Sequence, residues 1–293
     1  MFVRIFVVAY NLSVFIIFLP LNIMIIWIIC KTKNLRKYWS YRIIANIAMA
    51  DNILLFTVIS AGVMGIWNVS LPVTLLKINM VIIFCVPITE SLHSLTLAAN
   101  RLFVMAGMSS FGRSFVYLIL LIISWLFGTI AAVQTFLLIQ GPKYNLQTYR
   151  YHADKYYSAE MKTARLILYL IALGLALVMY VVVILKIIFQ RNKILSEDIK
   201  LFIQAVIPFF WLVLFAIVTQ YQLITKLHMG ELGDVIYTIL GRSMPAVHCT
   251  VYMIFNRTLR TEVLILLRFR KQITFENTVK RISQNRSTTM YKS

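Results

Sequence analysis

Three side chains that can carry charge lie on one apolar stretch, residues 90–105, which reads ESLHSLTLAANRLFVM. They are Glu90, His93 and Arg101, and they close a longer apolar run that begins near Leu75. Ionisable residues inside a membrane-spanning helix are costly, and they commonly mark ligand sites, ion pathways or switches. The stretch therefore predicts a functional polar centre on a helix that lies in a lipid bilayer.

Enzyme chemistry is not indicated by any motif in the chain. The three cysteines, Cys30, Cys85 and Cys249, lie within or at the edge of apolar runs, and their spacing excludes a CxxC metal site and a disulfide framework. The segment GMSSFG at residues 107–112 lacks the lysine and the preceding strand of a phosphate loop. We therefore expect no catalytic residue, no metal ligand and no cofactor.

The composition indicates that lipid surrounds most of the chain. Of its 293 residues, 60% are hydrophobic and only 13% are charged, and the mean hydropathy is +0.82. Soluble globular proteins are about 45–50% apolar and about 25% charged. A single helical bundle accounts for the length, because each membrane crossing takes about 20 apolar residues and a connection.

Seven apolar runs follow one another along the chain. They occupy residues 3–29, 43–67, 75–105, 115–139, 165–189, 201–223 and 235–255. We therefore predict an all-α membrane protein whose residues 1–255 form a seven-transmembrane helix bundle. A short amphipathic juxtamembrane helix is expected on the inner leaflet at residues 256–271, and a disordered basic cytoplasmic tail at residues 272–293.

Basic residues dominate the charge and predict the orientation. The net charge is +19, from 29 Lys and Arg against 10 Asp and Glu. The Lys and Arg residues cluster in the first loop, between Lys31 and Arg42, and after residue 256. The positive-inside rule then places both regions in the cytoplasm, against an anionic inner leaflet, and the N-terminus outside. This clustering at the ends of apolar runs argues against a nucleic-acid partner.

The longest connection, residues 140–162, is expected outside although it is basic. It carries five tyrosines, Tyr144, Tyr149, Tyr151, Tyr156 and Tyr157. One interpretation is a belt of tyrosines at the membrane–water interface, where this residue type is enriched. The other is a lid over the entrance to a ligand site.

Four motifs are distributed along the chain: IAMAD at residues 47–51, Asn-Arg-Leu at 100–102, Trp125 in the fourth run and VYMIFNRTLR at 251–260. They resemble motifs of rhodopsin-like G-protein-coupled receptors, and the resemblance covers nearly the whole chain. Within that family, LFIQAV at 201–206 and the ending from residue 248 are most similar to nematode serpentine chemoreceptors of the x class. The resemblance implies a seven-helix plasma-membrane receptor that binds a small molecule and activates a heterotrimeric G protein.

The resemblance also implies an activation switch at the inner end of the bundle, formed by Asn100, Arg101, Tyr180 and Tyr252. Arg101 matches the arginine of the Asp/Glu-Arg-Tyr motif, which restrains the resting state and meets the G protein. Asn100 replaces the acid of that motif, and we expect it to hold the guanidinium less tightly, by a hydrogen bond. Tyr252 matches the tyrosine of the Asn-Pro-x-x-Tyr motif, in which His248 replaces the Asn.

A polar core is expected from Asn22, Asp51, Glu90 and His248. By resemblance, Asn22 and Asp51 match the family's first-helix asparagine and second-helix aspartate. Glu90 lies eleven residues before Arg101, about three helical turns away on nearly the same face. Two buried carboxyl groups cannot both ionise cheaply, so we expect one to be protonated or to share a proton with His248. A static polar plug and a pH- or cation-sensitive switch both remain open.

Arg242 and Glu90 are the candidates for ligand binding. Arg242 lies ten residues before Tyr252, where opsins carry the lysine that binds retinal. An arginine is always protonated and does not form that Schiff base, so a retinal pigment is not expected. Arg242 could anchor an anionic ligand, or it could pair structurally with Glu90 or a helix carbonyl.

A second class of function remains open, a proton- or ion-linked seven-helix transporter. Its support is the set of ionisable residues Glu90, His93, Asp51 and Arg242 within apolar runs. Inverted repeats or paired helices broken at Gly or Pro would favour a transporter, and the sequence shows neither. The receptor is therefore the leading interpretation.

Overall fold

The computed structural model describes residues 2–106, 110–145, 150–155, 159–189, 196–225 and 230–267. Helices and one hairpin make up these ranges. In chain order they are α1 (Phe2–Lys31), α2 (Lys33–Arg36), α3 (Trp39–Trp67), α4 (Val73–Met105), α5 (Ser110–Leu138), β1 (Gln140–Asn145), β2 (Arg150–Lys155), α6 (Ala159–Phe189), α7 (Ser196–Thr225), α8 (Gly230–Arg242), α9 (Met244–Phe255) and α10 (Arg257–Leu266). The basic tail predicted at 272–293 lies outside the described residues.

Six helices, α1 and α3 to α7, are long and apolar enough to cross a membrane. Large apolar side chains such as Ile16, Phe115 and Phe189 are exposed on their surfaces. Monomeric soluble proteins rarely expose large contiguous apolar patches, whereas a lipid-facing surface requires apolar side chains. The chain is therefore an all-α multi-pass membrane protein.

The seventh apolar run is not the single helix that the hydropathy pattern predicted. It is divided into α8 and α9, and the break lies at Ser243. Pro245 falls in the first turn of α9, where a residue without a backbone N–H is tolerated, whereas inside a continuous helix its ring would clash with the carbonyl of Gly241. Downstream of the break, α9 runs without interruption through His248 and Cys249.

The connection after α5 folds into an antiparallel hairpin, β1–β2, in which Tyr144 faces Tyr151. Their rings lie 4.9 Å apart, and both pack against a cluster that includes Val7 and Val235. These two tyrosines therefore lie within the bundle and not in a belt at its lipid-facing surface. The other three tyrosines of this connection, Tyr149, Tyr156 and Tyr157, lie outside the described residues. The end of the bundle that carries the hairpin and the N-terminus is called the hairpin end below.

The opposite, basic end of the bundle carries α2, α10 and the chain between α1 and α3. Asn256 caps α10, because its side-chain oxygen accepts a hydrogen bond from the backbone N–H of Leu259 at 3.1 Å. The same oxygen accepts from the Tyr41 hydroxyl at 3.3 Å, and the side-chain amide donates to Gln204 at 3.4 Å. Leu259 and Val263 are buried, so α10 packs against the bundle along one face.

The cysteines form no disulfide with one another in the described chain, which includes all three. Cys85 and Cys249 are buried in the bundle, whereas Cys30 is exposed at the end of α1, at the basic end.

The hairpin is held against the bundle by packing of Tyr144 and Tyr151 and by a hydrogen bond from the Tyr151 hydroxyl to the Thr57 carbonyl at 3.4 Å.

Candidate functional site

A buried cluster of two acids and an imidazole lies at the centre of the bundle. Asp51 on α3, Glu90 on α4 and His248 on α9 each direct one potential ligand atom to a common point, with all three atoms within 4.8 Å of one another. His248 Nδ1 lies 2.9 Å and 3.0 Å from the two carboxylate oxygens of Asp51. The structure thus brings together three of the four residues expected in the polar core.

The unbroken path of α9 positions His248. His248 and Tyr252 lie four residues apart and therefore share one face of the helix, where their rings stack with centroids 6.1 Å apart and planes at 8°. This face turns His248 toward Asp51 and Tyr252 toward the basic end. One rigid element therefore joins the acid cluster to the expected switch.

The chemistry of the cluster follows from its two neighbouring carboxyl groups. A negative charge on both would be costly at this separation and depth, and a shared proton or a bound cation would relieve the cost. Glu90 Oε1 accepts no hydrogen bond from a described residue. Two carboxylate oxygens and one imidazole nitrogen also form a donor set that suits a divalent cation such as Zn²⁺. The sequence predicted a polar core from these three residues but no metal ligand, because donors contributed by three helices leave no local spacing motif.

Asn22 is the remaining residue of the predicted core. It lies on α1 and is fully buried, but neither its side-chain nitrogen nor its oxygen has a hydrogen-bond partner among the described residues. The structure therefore places Asn22 inside the bundle without bonding it to Asp51.

Three of the four residues of the predicted switch, Arg101, Tyr180 and Tyr252, lie near one another toward the basic end. Asn100, Arg101, Tyr180 and Tyr252 are all buried, and Arg101 is close enough to both tyrosines to interact with them electrostatically. The Tyr180 hydroxyl donates to the carbonyl of Ala205 on α7 at 3.4 Å. Because Arg101 is only 5% exposed, its charge is covered in this conformation.

Asn100 does not hold Arg101 as the sequence led us to expect. Its side-chain oxygen accepts no hydrogen bond from any residue in the described part of the chain. The two residues are adjacent on α4, and neighbouring side chains on a helix point about 100° apart, so they do not face each other.

Arg242 forms a second polar site, toward the hairpin end. It is the last residue of α8 and is 7% exposed, and its Nη1 donates to Asn11 Oδ1 on α1 at 3.2 Å. Glu90 lies with Asp51 and His248, and Arg242 is six residues before His248, roughly 9 Å along a helix axis. The hydrogen bond to Asn11 joins Arg242 to α1, and the two ligand-binding candidates occupy different levels of the bundle.

A polar contact between α3 and α5 lies beside the cluster. Trp125 Nε1 donates to Asn46 Oδ1 at 2.8 Å, and the ring of His93 meets the Trp125 ring edge-on with centroids 5.5 Å apart. Sequence reasoning singled out His93 and Trp125 but missed both Asn46 and Asn11. The signal that could have found them is the one that found Asn22, an amide within an apolar run.

Comparison with protein-family models and with curated proteins found no match. The functional interpretation therefore rests on three arrangements: the cluster of Asp51, Glu90 and His248, the covered charge of Arg101, and the contact of Arg242 with Asn11.

Proposed function

We propose that this chain is a chemoreceptor-like G-protein-coupled receptor of the plasma membrane. The hairpin end faces outside and admits a small molecule, and the basic end faces the cytoplasm and a heterotrimeric G protein. The observation that carries the proposal is Arg101, a buried cation near the basic end of α4 beside the buried tyrosines Tyr180 and Tyr252. A charge covered in this way becomes available to a cytoplasmic partner only when the helices around it separate.

In this proposal α8 and α9 together make the seventh crossing. From Gly230 to Phe255 they would extend roughly 39 Å if coaxial, which exceeds the roughly 30 Å hydrocarbon core. A break inside a membrane is tolerated where the freed backbone groups find partners. Here the Leu240 carbonyl accepts from Ser243 Oγ at 3.0 Å and from Trp211 Nε1 at 3.3 Å.

The route from ligand to switch follows α9. Arg242 immediately precedes the break, His248 binds Asp51, and Tyr252 lies beside Arg101. A ligand that binds more tightly to a conformation with α9 displaced shifts the population toward it. That displacement would carry Tyr252 away from Arg101 and uncover the guanidinium.

The test is G-protein activation in cells that express the full chain, measured with an odorant and metabolite panel. Arg101→Ala should abolish the ligand-dependent signal. Arg165→Gln is the matched control, since it removes another membrane arginine, one that donates to the Ala131 carbonyl at 2.9 Å, and it should keep the signal. Surface expression is scored for each variant. An Arg101→Ala variant at the surface that signals as wild type would contradict the proposal.

A transporter is the second candidate, and the broken α8–α9 segment favours it. Discontinuous helices commonly line substrate sites in secondary transporters, and here a buried cation, Arg242, adjoins the break. Ligand-driven uptake or current in cells whose surface-expressed protein activates no G protein would select this function.

A further inference from the structure

We infer that the ligand carries an anionic group, a carboxylate or a similar oxyanion, which binds between α1 and the end of α8 at Arg242 and Asn11. This inference rests on the proposed receptor function and specifies the class of molecule that the receptor detects. It also places the charged end of the ligand beside the first and seventh crossings, and not against the acid cluster around Asp51.

The orientation of the Asn11 side chain is fixed by chemistry. A guanidinium only donates hydrogen bonds, so the oxygen of the Asn11 amide must face Arg242, as the 3.2 Å contact from Nη1 shows. The amide nitrogen of Asn11 is then directed elsewhere. It is buried and has no hydrogen-bond partner among the described residues, and Asn11 itself is fully buried.

Thr238 adds a third polar group. It lies one turn before Arg242 on the same face of α8, is 4% exposed, and its hydroxyl has no partner within the described ranges. Buried polar groups in folded proteins are nearly always paired, so an unpaired amide and hydroxyl beside a guanidinium indicate a group that the protein binds. Two of these three groups only donate, which selects a partner rich in acceptors and negatively charged.

The surroundings indicate an apolar body for the ligand. Val7 on α1, Met64 on α3 and Val235 on α8 belong to one apolar cluster that also includes Tyr144 and borders Ile239. Tyr151 is packed against this cluster. Burial raises the pKa of the Tyr151 phenol, and the charge of Arg242 partly opposes this rise, so the hairpin lies near the guanidinium. Binding sites for small molecules are mostly apolar with a few placed polar groups, and this combination of side chains suits a molecule with an apolar chain and one anionic end.

Straight-chain carboxylates are the direct probe of this inference. Purified full-length protein in lipid nanodiscs is titrated with butanoate, hexanoate and octanoate and, separately, with the corresponding alcohols, and the thermal unfolding temperature is followed. At least one carboxylate should stabilise the protein saturably and bind at least about 10-fold more tightly than its alcohol, since hydrogen bonds to a charged group contribute most of that difference.

Variants locate the binding site. Arg242→Gln and Asn11→Leu should each weaken carboxylate binding, Arg242→Gln by roughly 10- to 100-fold, while Arg165→Gln should bind as wild type. The comparison of carboxylate with alcohol on wild-type protein holds even if a variant fails to fold. Equal binding of carboxylates and alcohols, an absence of carboxylate binding, or full carboxylate affinity in a folded Arg242→Gln would each overturn the inference.

Binding to purified protein needs no G protein, so the two proposals fail separately. Carboxylate binding that depends on Arg242, in a chain whose signalling ignores Arg101→Ala, would remove the receptor mechanism and keep the anion site. If Arg101→Ala abolishes signalling but the purified protein binds carboxylates no better than alcohols, the receptor mechanism stands and the anion site is removed.

Discussion

The contact of His248 with Asp51 makes a quantitative prediction when it is compared with a second buried histidine. We compare His248→Ala with His93→Ala. Each substitution deletes an imidazole that is at most 5% exposed, and each removes one aromatic neighbour, Tyr252 for His248 and Trp125 for His93. The costs of the cavity and of the lost ring contact are therefore similar and cancel in the difference.

The remaining difference is electrostatic. His248 Nδ1 lies 2.9 Å and 3.0 Å from the Asp51 oxygens, whereas neither ring nitrogen of His93 has a hydrogen-bond partner in the described part of the chain. Removing one partner of a buried ion pair costs about 3–5 kcal/mol. Glu90 is close enough to share a proton with Asp51 and to recover about 1–2 kcal/mol. We therefore expect His248→Ala to be less stable than His93→Ala by about 1–4 kcal/mol.

The assay is unfolding in mixed micelles with increasing SDS, followed by circular dichroism. Asp51→Asn on the His248→Ala background should restore at least half of the lost free energy of unfolding, because it removes the charge that His248 no longer compensates. Unfolding of His248→Ala and His93→Ala at the same SDS fraction would show that the contact of His248 with Asp51 does not stabilise the protein. The same conclusion would follow if Asp51→Asn lowered the free energy of unfolding of His248→Ala as much as that of the wild-type protein.

Two further predictions concern packing and capping. Gly128→Ala should lower the free energy of unfolding by about 1–3 kcal/mol through overpacking, because the new Cβ would overlap Thr89 Oγ1. Gly174→Ala, whose Cβ would meet nothing within 4 Å, should raise it by up to about 1 kcal/mol. SDS unfolding measures both. Asn256→Ala should lower the free energy of unfolding by about 0.5–2 kcal/mol, because the cap on α10 is lost. Hydrogen exchange at the Leu259 amide should become faster. Asn256→Asp keeps an acceptor for that amide, so the amide should stay protected from exchange. Equal behaviour of the two glycine variants, or of the two Asn256 variants, would contradict these assignments.

The helices were predictable from composition, and their mutual rotation was not. In a soluble bundle an apolar stripe shows which face of a helix points inward. Here lipid-facing residues such as Ile16 and core residues such as Val14 are both apolar, so the sequence gives no stripe. The rare polar residues are the exception: Asp51, Glu90 and His248 were grouped before the structure from the resemblance to a receptor family and from the distance of Glu90 from Arg101 along one helix face.

Contacts that depend on rotation or on local geometry were missed. The pairing of Asn11 with Arg242 requires two helices 231 positions apart in the chain to face each other at one level, and no local pattern encodes that. The hairpin was treated as a loop, since Tyr144 and Tyr151 are consistent with an interface belt as well as with a strand pair. Pro245 alone did not predict the break at Ser243, because Pro20, Pro87 and Pro208 lie inside α1, α4 and α7 without interrupting them.

The three thiols have a practical consequence for topology. Cys85 and Cys249 are buried, whereas Cys30 is exposed beside Lys31, the last residue of α1, so we expect Cys30 to be the thiol that a reagent at the basic end reaches. A maleimide that does not cross membranes will therefore report the sidedness of the wild-type chain without any introduced cysteine. Labelling only after the cells are permeabilised places the basic end inside, and labelling of intact cells places it outside. The same thiol can carry a fluorophore close to Lys31, where movement of the basic end would change its emission.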